Sequence, residues 1–239
     1  MICFLTSSPF TVGSPYLNPQ NGFIEKLRQA LPGLCRGLFV CSSPDRPDLT
    51  DRFAGDMRFA LESAGASFSS FQVLDNRNAA NAHALVNRAD LIIFAGGHVP
   101  TQNAFFREIR LKEALRGFQG TVIGISAGSM NSAQTVYAQP EEAGEAVDPA
   151  YQRFLPGLGL TQTMLLPHYQ MVKDDVVDGL RLFPDITLPD SMGRRFIAIP
   201  DGSYLLVQDG KETLFGEGWL IEDGRMEQMQ KEGESRQIL

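Results

Sequence analysis

Short apolar runs alternate with longer amphipathic stretches over the first two thirds of this chain. Residues 37–41 and 68–74 read as strands, and so do 90–95 and 121–125; the apolar start, residues 1–5, reads as a buried first strand. Runs this short and this continuously apolar suit parallel strands covered on both faces. Helical patterns lie between them, at residues 22–31, 49–64, 79–89 and 101–115. In the second of these, Phe53, Met57, Ala60 and Leu61 share one face, with Asp45 and Asp51 near its start, where the helix dipole favours negative charge. Strand–helix alternation predicts an α/β fold, a doubly wound and mostly parallel sheet with helices on both faces and right-handed crossovers.

Beyond Ser126 the pattern changes. Residues 127–135 can continue as a helix, and residues 139–145 form an acidic loop. A strand near 163–166 leads into His168, and residues 173–182 look helical. From residue 196 onward the texture is antiparallel, broken by Asp201-Gly202, Asp209-Gly210 and Asp223-Gly224, each a hairpin signal between apolar alternations. Residues 196–239 are therefore expected as a β-rich C-terminal hairpin extension of a single domain spanning 1–239, with no linker dividing it.

Composition narrows the function. A 239-residue chain with 43% hydrophobic and 21% charged residues can bury one full core. A formal net charge of −7 argues against sequence-independent nucleic-acid binding, which needs a cationic face. No apolar run is long enough for a membrane helix, and the N-terminus lacks the basic start of a signal peptide. Cys3, Cys35 and Cys41 have no metal-ligand spacing and are read as buried thiols of a cytoplasmic protein. The three histidines are too scattered for a zinc site, and no phosphate loop is present, so neither metal nor cofactor is expected.

The chemistry centres on Gly124-Ile125-Ser126-Ala127-Gly128. A serine between a strand and a helix must adopt a strained backbone that exposes its hydroxyl, and flanking glycines let neighbouring chains approach. Ser126 is thus the candidate nucleophile. The Ala127 N–H supplies one oxyanion donor by the geometry of the turn; the other is expected from the Gly96-Gly97 turn after strand 90–95, at Gly97. Of the histidines, His83 lies within a helical pattern, His98 adjoins the glycine turn and is a candidate substrate contact with Gly96, and His168 follows a strand end. His168 is the candidate base. For the acid that orients it, the loop after the nucleophile offers Glu141 and Glu142, with Asp148, Asp174 and Asp175 as alternatives. Glu141 is preferred, because Pro140 restricts the chain just before it.

Together, Gly124-Ile125-Ser126-Ala127-Gly128-Ser129, the Ala95-Gly96-Gly97 turn and Pro167-His168-Tyr169 resemble the peptidase E family of serine peptidases. The resemblance is specific over residues 91–169 and looser across the rest. It implies a fold like that of class I glutamine amidotransferases, with serine in place of cysteine, and hydrolysis of small peptides or isopeptides through an acyl-enzyme. The family's acid is Asp in the aspartyl dipeptidases and Glu in some relatives, including the similar cyanophycinases, and by position Glu141 looks like the Glu branch. The chain departs at the glycine turn, where the family's Gly-Gly-Asn plus hydroxyl residue is replaced by Gly97-His98-Val99-Pro100-Thr101. Reading an N-terminal aspartate would also need a buried arginine; Arg181, Arg194 and Arg195 are the available ones. An esterase or amidase on a non-peptide substrate, and a non-catalytic amidotransferase-like binding module, remain the alternatives. The expected partner is a small peptide substrate, with a homo-oligomer left open.

Overall fold

The computed structural model describes residues 1–239. Its first half is built as the alternation implies. Strands β1 (Ile2–Thr6), β2 (Cys35–Val40), β3 (Phe68–Leu74), β4 (Leu91–Phe94) and β5 (Thr121–Ile125) lie parallel in the order β1-β5-β4-β2-β3. The connecting helices are α1 (Phe23–Ala30), α2 (Pro47–Ser63), α3 (Ala82–Arg88), α4 (Val99–Glu108) and α5 (Leu111–Ala114). Side chains alternate across β4. Leu91 and Ile93 pack with Phe23 and Leu27 of α1 and with Met57 and Leu61 of α2, whereas Ile92 and Phe94 pack with Val86 of α3 and with Phe105 and Phe106 of α4. A strand buried on both faces needs this continuous apolar sequence.

The expected helix over 101–115 is two helices. Arg110 adopts a left-handed φ of 52° that ends α4 and restarts the chain as α5, so Ile109 and Leu111 both reach the same core. The helix after Ser126, α6, runs only over Ala127–Asn131, because the chain then enters β6 (Thr135–Tyr137), which pairs with β7 (Phe154–Pro156). β8 (Met164–Leu166) leads to His168 and the one-turn α7 (Tyr169–Val172).

Of residues 173–182 only Leu182 is helical, as the start of a π-helical turn over Leu182–Thr187. The rest carry the two-residue strands β9 (Val176–Val177) and β10 (Leu180–Arg181), joined by Asp178-Gly179 with φ values of 51° and 82°. This is a hairpin made by the same Asp-Gly chemistry as the C-terminal turns. After the short α8 (Leu188–Asp190), strands β11 (Arg195–Ala198), β12 (Tyr204–Gln208), β13 (Lys211–Phe215), β14 (Gly218–Glu222), β15 (Arg225–Gln230) and β16 (Ser235–Gln237) complete the chain.

The C-terminal strands pair antiparallel with one another, as expected, but β11 also runs parallel to β8, and the strands are shared between two sheets. β12, β13 and β16 extend the main sheet from β1, making it eight-stranded in the order β16-β13-β12-β1-β5-β4-β2-β3. β11, β14 and β15 join β8 in a second sheet of four. A third core lies between this sheet and α6, with Met130, Tyr137, Leu166, Phe196 and Ile221 inside it; the rings of Tyr137 and Phe196 stack at 4.4 Å. The chain crosses from one sheet to the other at Ile199-Pro200-Asp201-Gly202-Ser203, beside the C-terminal ends of β1 and β5.

Candidate active site

Ser126 stands where β5 gives way to α6, with φ 50° and ψ −114°, a backbone conformation costly for any residue with a side chain. Its own N–H donates to the carbonyls of Thr6 and Ser7 at 3.1 and 3.0 Å, pinning the turn to the end of β1. The Ser129 hydroxyl adds a bond to Thr6 O at 2.7 Å, and the Thr6 hydroxyl one to Gly124 O at 2.8 Å. The two flanking glycines have steric reasons. A Cβ on Gly128 would run into the Phe94 carbonyl oxygen and lie 2.6 Å from Phe94 Cβ; one on Gly124 would lie 2.9 Å from Ser129 Cα. The strain at Ser126 is thus held by β1 on one side and β4 on the other.

The glycine turn after β4 faces it. Gly97 has φ 153°, and a Cβ there would collide with the Ser42 side chain, whose hydroxyl donates to Gly96 O at 2.6 Å. The Gly97 N–H takes part in no hydrogen bond within the chain. Ala127 opens α6, so its N–H has no intrahelical acceptor. Two free donors therefore flank Ser126, the arrangement an oxyanion requires.

His168 also has a left-handed φ, 58°, at the mouth of α7. Its Nδ1 lies 2.8 Å from Asp201 Oδ1. Nδ1 being occupied, Nε2 is the nitrogen left for the cavity that His168 shares with Ser126 and Gly97. The buried Ser7 ties the pair together: its hydroxyl donates to Asp201 Oδ1 at 2.6 Å and accepts the His168 backbone N–H at 2.7 Å. Partial burial pushes the Asp201 carboxyl up, but the hydrogen bonds from His168 and Ser7 outweigh it and hold its pKa below the usual carboxylate range.

The carboxylate on His168 is therefore Asp201, not Glu141. Glu141 turns its Oε1 to the Val99 N–H, 3.2 Å away at the start of α4, in the wall of a small cavity. Desolvation raises its pKa. Glu142 bonds the Glu145 carboxylate through its own N–H, Asp148 accepts the Ala150 N–H, Asp174 is exposed beside Lys173, and Asp175 lines the small cavity. None of these four reaches the imidazole. His98, expected at the substrate, lines neither cavity. Its ring is committed on both nitrogens, to Thr101 Oγ1 and to Glu145 Oε1, each at 2.7 Å. It is a strut between α4 and the acidic loop. Burial pushes the Glu145 carboxyl up, but the N–H groups of Glu141 and Glu142 and the His98 ring more than offset this and lower its pKa. Ligand atoms of His98, Glu142 and Glu145 come within 4.8 Å of one another, the one grouping with metal-like proximity, but the His98–Glu145 bond already occupies it.

Two residues of this arrangement carry no clear signal in the sequence. Asp201 reads as one of three Asp-Gly hairpin turns, yet it lies between strands of different sheets, and Pro200 just before it is the one local sign that sets it apart from the other two. Ser7 carries no motif at all.

Ser126 and His168 are shared by two cavities. The smaller, about 100 Å³, is walled by Val99, Met130, Glu141, Asp175 and Leu182; the larger, about 610 Å³, opens on the side of α2 and includes Gly96. The chain belongs to peptidase family S51, whose family model matches residues 5–215. The S51 match thus runs from β1 to β13 and takes in Ser126, His168 and Asp201 together. Among solved structures, the chain is similar to a peptidase from an acI-B1 Actinobacterium, with a TM-score of 0.64 and 17% identity over 99% of this chain and 96% of that one. It is also similar to a putative peptidase E protein from Listeria monocytogenes EGD-e, with a TM-score of 0.57 and 15% identity over 96% and 98%. At these identities the likeness concerns the fold. No curated protein matches the sequence.

Proposed function

We propose that this S51 protein is a serine peptidase of short peptides, with Ser126 as nucleophile, His168 as base and Asp201 as the group that orients it. The observation that carries this reading is the 2.8 Å contact between His168 Nδ1 and Asp201, which leaves Nε2 for the strained serine in the same cavity. In the reaction His168 Nε2 takes the Ser126 hydroxyl proton as Oγ attacks the peptide carbonyl carbon. Negative charge gathers on the carbonyl oxygen, where the Gly97 and Ala127 N–H groups bind it. His168 then passes the proton to the leaving amine, the C–N bond breaks, and the acyl group stays on Ser126 until water repeats the steps. Asp201 holds the imidazole in the tautomer with a proton on Nδ1 and stabilises its charged form.

The small cavity supports a substrate with a free amino terminus. Glu141 and Asp175 line it with no lysine or arginine beside them, and desolvation raises the Glu141 pKa. A peptide's α-ammonium, placed there, would supply the missing charge, and the limited volume would confine that side to the terminal residue.

Reaction with a fluorophosphonate probe tests the assignment. Labelling is expected at Ser126 and is expected to vanish in Ser126→Ala and to fall by orders of magnitude in His168→Ala. An unlabelled parent protein, with a known serine peptidase labelled alongside, would leave a binding module as the better reading.

A further inference from the structure

The larger cavity differs in kind from the smaller one. Phe39, Met57 and Ile125 form its inner wall, Phe10 and Phe53 its rim, and Asp56 is its one acidic side chain. Phe39 and Met57 belong to the core beneath α2, so that wall is fixed, whereas Phe53 is 41% exposed at the mouth. Its volume of about 610 Å³ lies within the range of pockets that bury a small ligand, about 300 to 1,000 Å³.

No lysine or arginine lines either cavity. The three arginines available for an acidic substrate are engaged elsewhere: Arg181 pairs with Asp185 through two nitrogens, Arg194 lies over the Phe154 ring at 4.1 Å, and Arg195 faces Glu222 at 3.9 Å. Arg52 lies over the ring of Phe53, outside the cavity wall. An aspartate or glutamate side chain entering beside Ser126 would shed its water and find a carboxylate, Asp56 on one side or Glu141 and Asp175 on the other. A large apolar side chain would instead exchange water for three aromatic rings and a thioether.

We infer that the larger cavity is the side-chain subsite of this peptidase, that it takes a large apolar residue adjoining the scissile bond, and that it rejects acidic ones. The inference rests on the peptidase reading above and names its substrate class. The discriminating group is Asp56, exposed on α2 and outside the machinery around Ser126.

Dipeptides carrying Phe, Leu, Asp or Glu in turn on each side of the scissile bond provide the test, with fluorophosphonate labelling of Ser126 followed in parallel. At one of the two positions kcat/KM for Phe or Leu is expected to exceed that for Asp by about a hundredfold, since an apolar site cannot compensate a buried charge. Asp56→Lys should narrow that ratio by about tenfold by giving the acidic side chain a partner. Phe53→Ala should lower kcat/KM for the Phe substrate by about fivefold to tenfold while Ser126 still labels. A preference for Asp at either position, or a ratio unmoved by Asp56→Lys, with labelling intact, would overturn the subsite and leave the serine peptidase standing. Loss of labelling in the parent protein would overturn both.

Discussion

Ser7 shows how little at the residue scale has to be unusual for a site to form. A single buried hydroxyl at the end of β1 donates to Asp201 and accepts the backbone N–H of His168, so that two residues from different parts of the chain are held together by a third. The assignment of the acid is the most direct thing to test here. Asp201→Asn is expected to lower kcat by about a thousandfold or more, because an amide can favour the wrong imidazole tautomer and cannot stabilise the imidazolium. Glu141→Gln is expected to raise KM while sparing kcat within about tenfold; steady-state kinetics on one substrate separates the two, and the opposite pattern would return the acid to the loop. Asp201→Asn also has a signature in stability. Because the folded pKa of Asp201 is depressed, its ionised form stabilises the fold above the usual carboxylate pKa of about 3.9, and this contribution is lost as pH falls below that value. The Tm deficit of Asp201→Asn should accordingly be largest near neutrality and shrink on acidification below about pH 4.

At the scale of elements, the strand-to-helix turn at Ser126 is held by steric closeness as much as by hydrogen bonds. Gly128 lets α6 lie against the backbone of β4, and no side chain fits between them. Gly128→Ala must push α6 away from Phe94, which would displace the Ala127 N–H along with it. A loss of about 1 to 3 kcal/mol, the usual cost of overpacking, is expected in urea titration, together with a fall in kcat. The β9–β10 hairpin matters through its turn. Asp178 accepts the N–H groups of Gly144 and Ala146 at 2.8 and 3.0 Å and so ties the hairpin to the loop that carries Glu141. It also explains why residues 173–181 are not a helix: the backbone φ of 51° at Asp178 is one that aspartate tolerates better than most residues, and Gly179 completes the turn.

At the scale of the whole molecule, the C-terminal segment is part of the frame. β12 pairs with β1 over five residues, and Tyr204, Leu205 and Leu214 are buried in the two cores that flank the main sheet. A chain ending before Phe196 would expose the edge of β1, strip these cores and lose Asp201. Such a truncation is expected to show no cooperative thermal transition in calorimetry; a truncated protein melting near the parent would mean that the segment is an appendage after all.

The elements of the parallel sheet were legible in the sequence because their signals are local: apolar continuity in β4 and β5, helical periodicity in α2, and the Gly-x-Ser-x-Gly spacing that only a tight strand-to-helix turn needs. Ser126, His168 and the Gly96-Gly97 turn stood out for the same reason, each placed at the end of a readable strand. The partner of His168 was not legible. Asp201 lies 33 positions further along, across a jump between two sheets, and local chemistry alone made it a turn residue like Asp209 and Asp223. Glu141 looked nearer along the chain, but its carboxylate accepts the Val99 N–H at the start of α4. The limits of an arginine-dependent acidic site were likewise hidden, because a charge's place relative to a pocket depends on which strands adjoin. Local sequence determined which segments are strands and where a strained serine must stand. Only tertiary structure, by bringing the ends of β1, β5 and β8 beside the β11–β12 crossing, decided which carboxylate meets the imidazole, because hydrogen-bond partners are set by distance in space and that distance is fixed by sheet order rather than by separation along the chain.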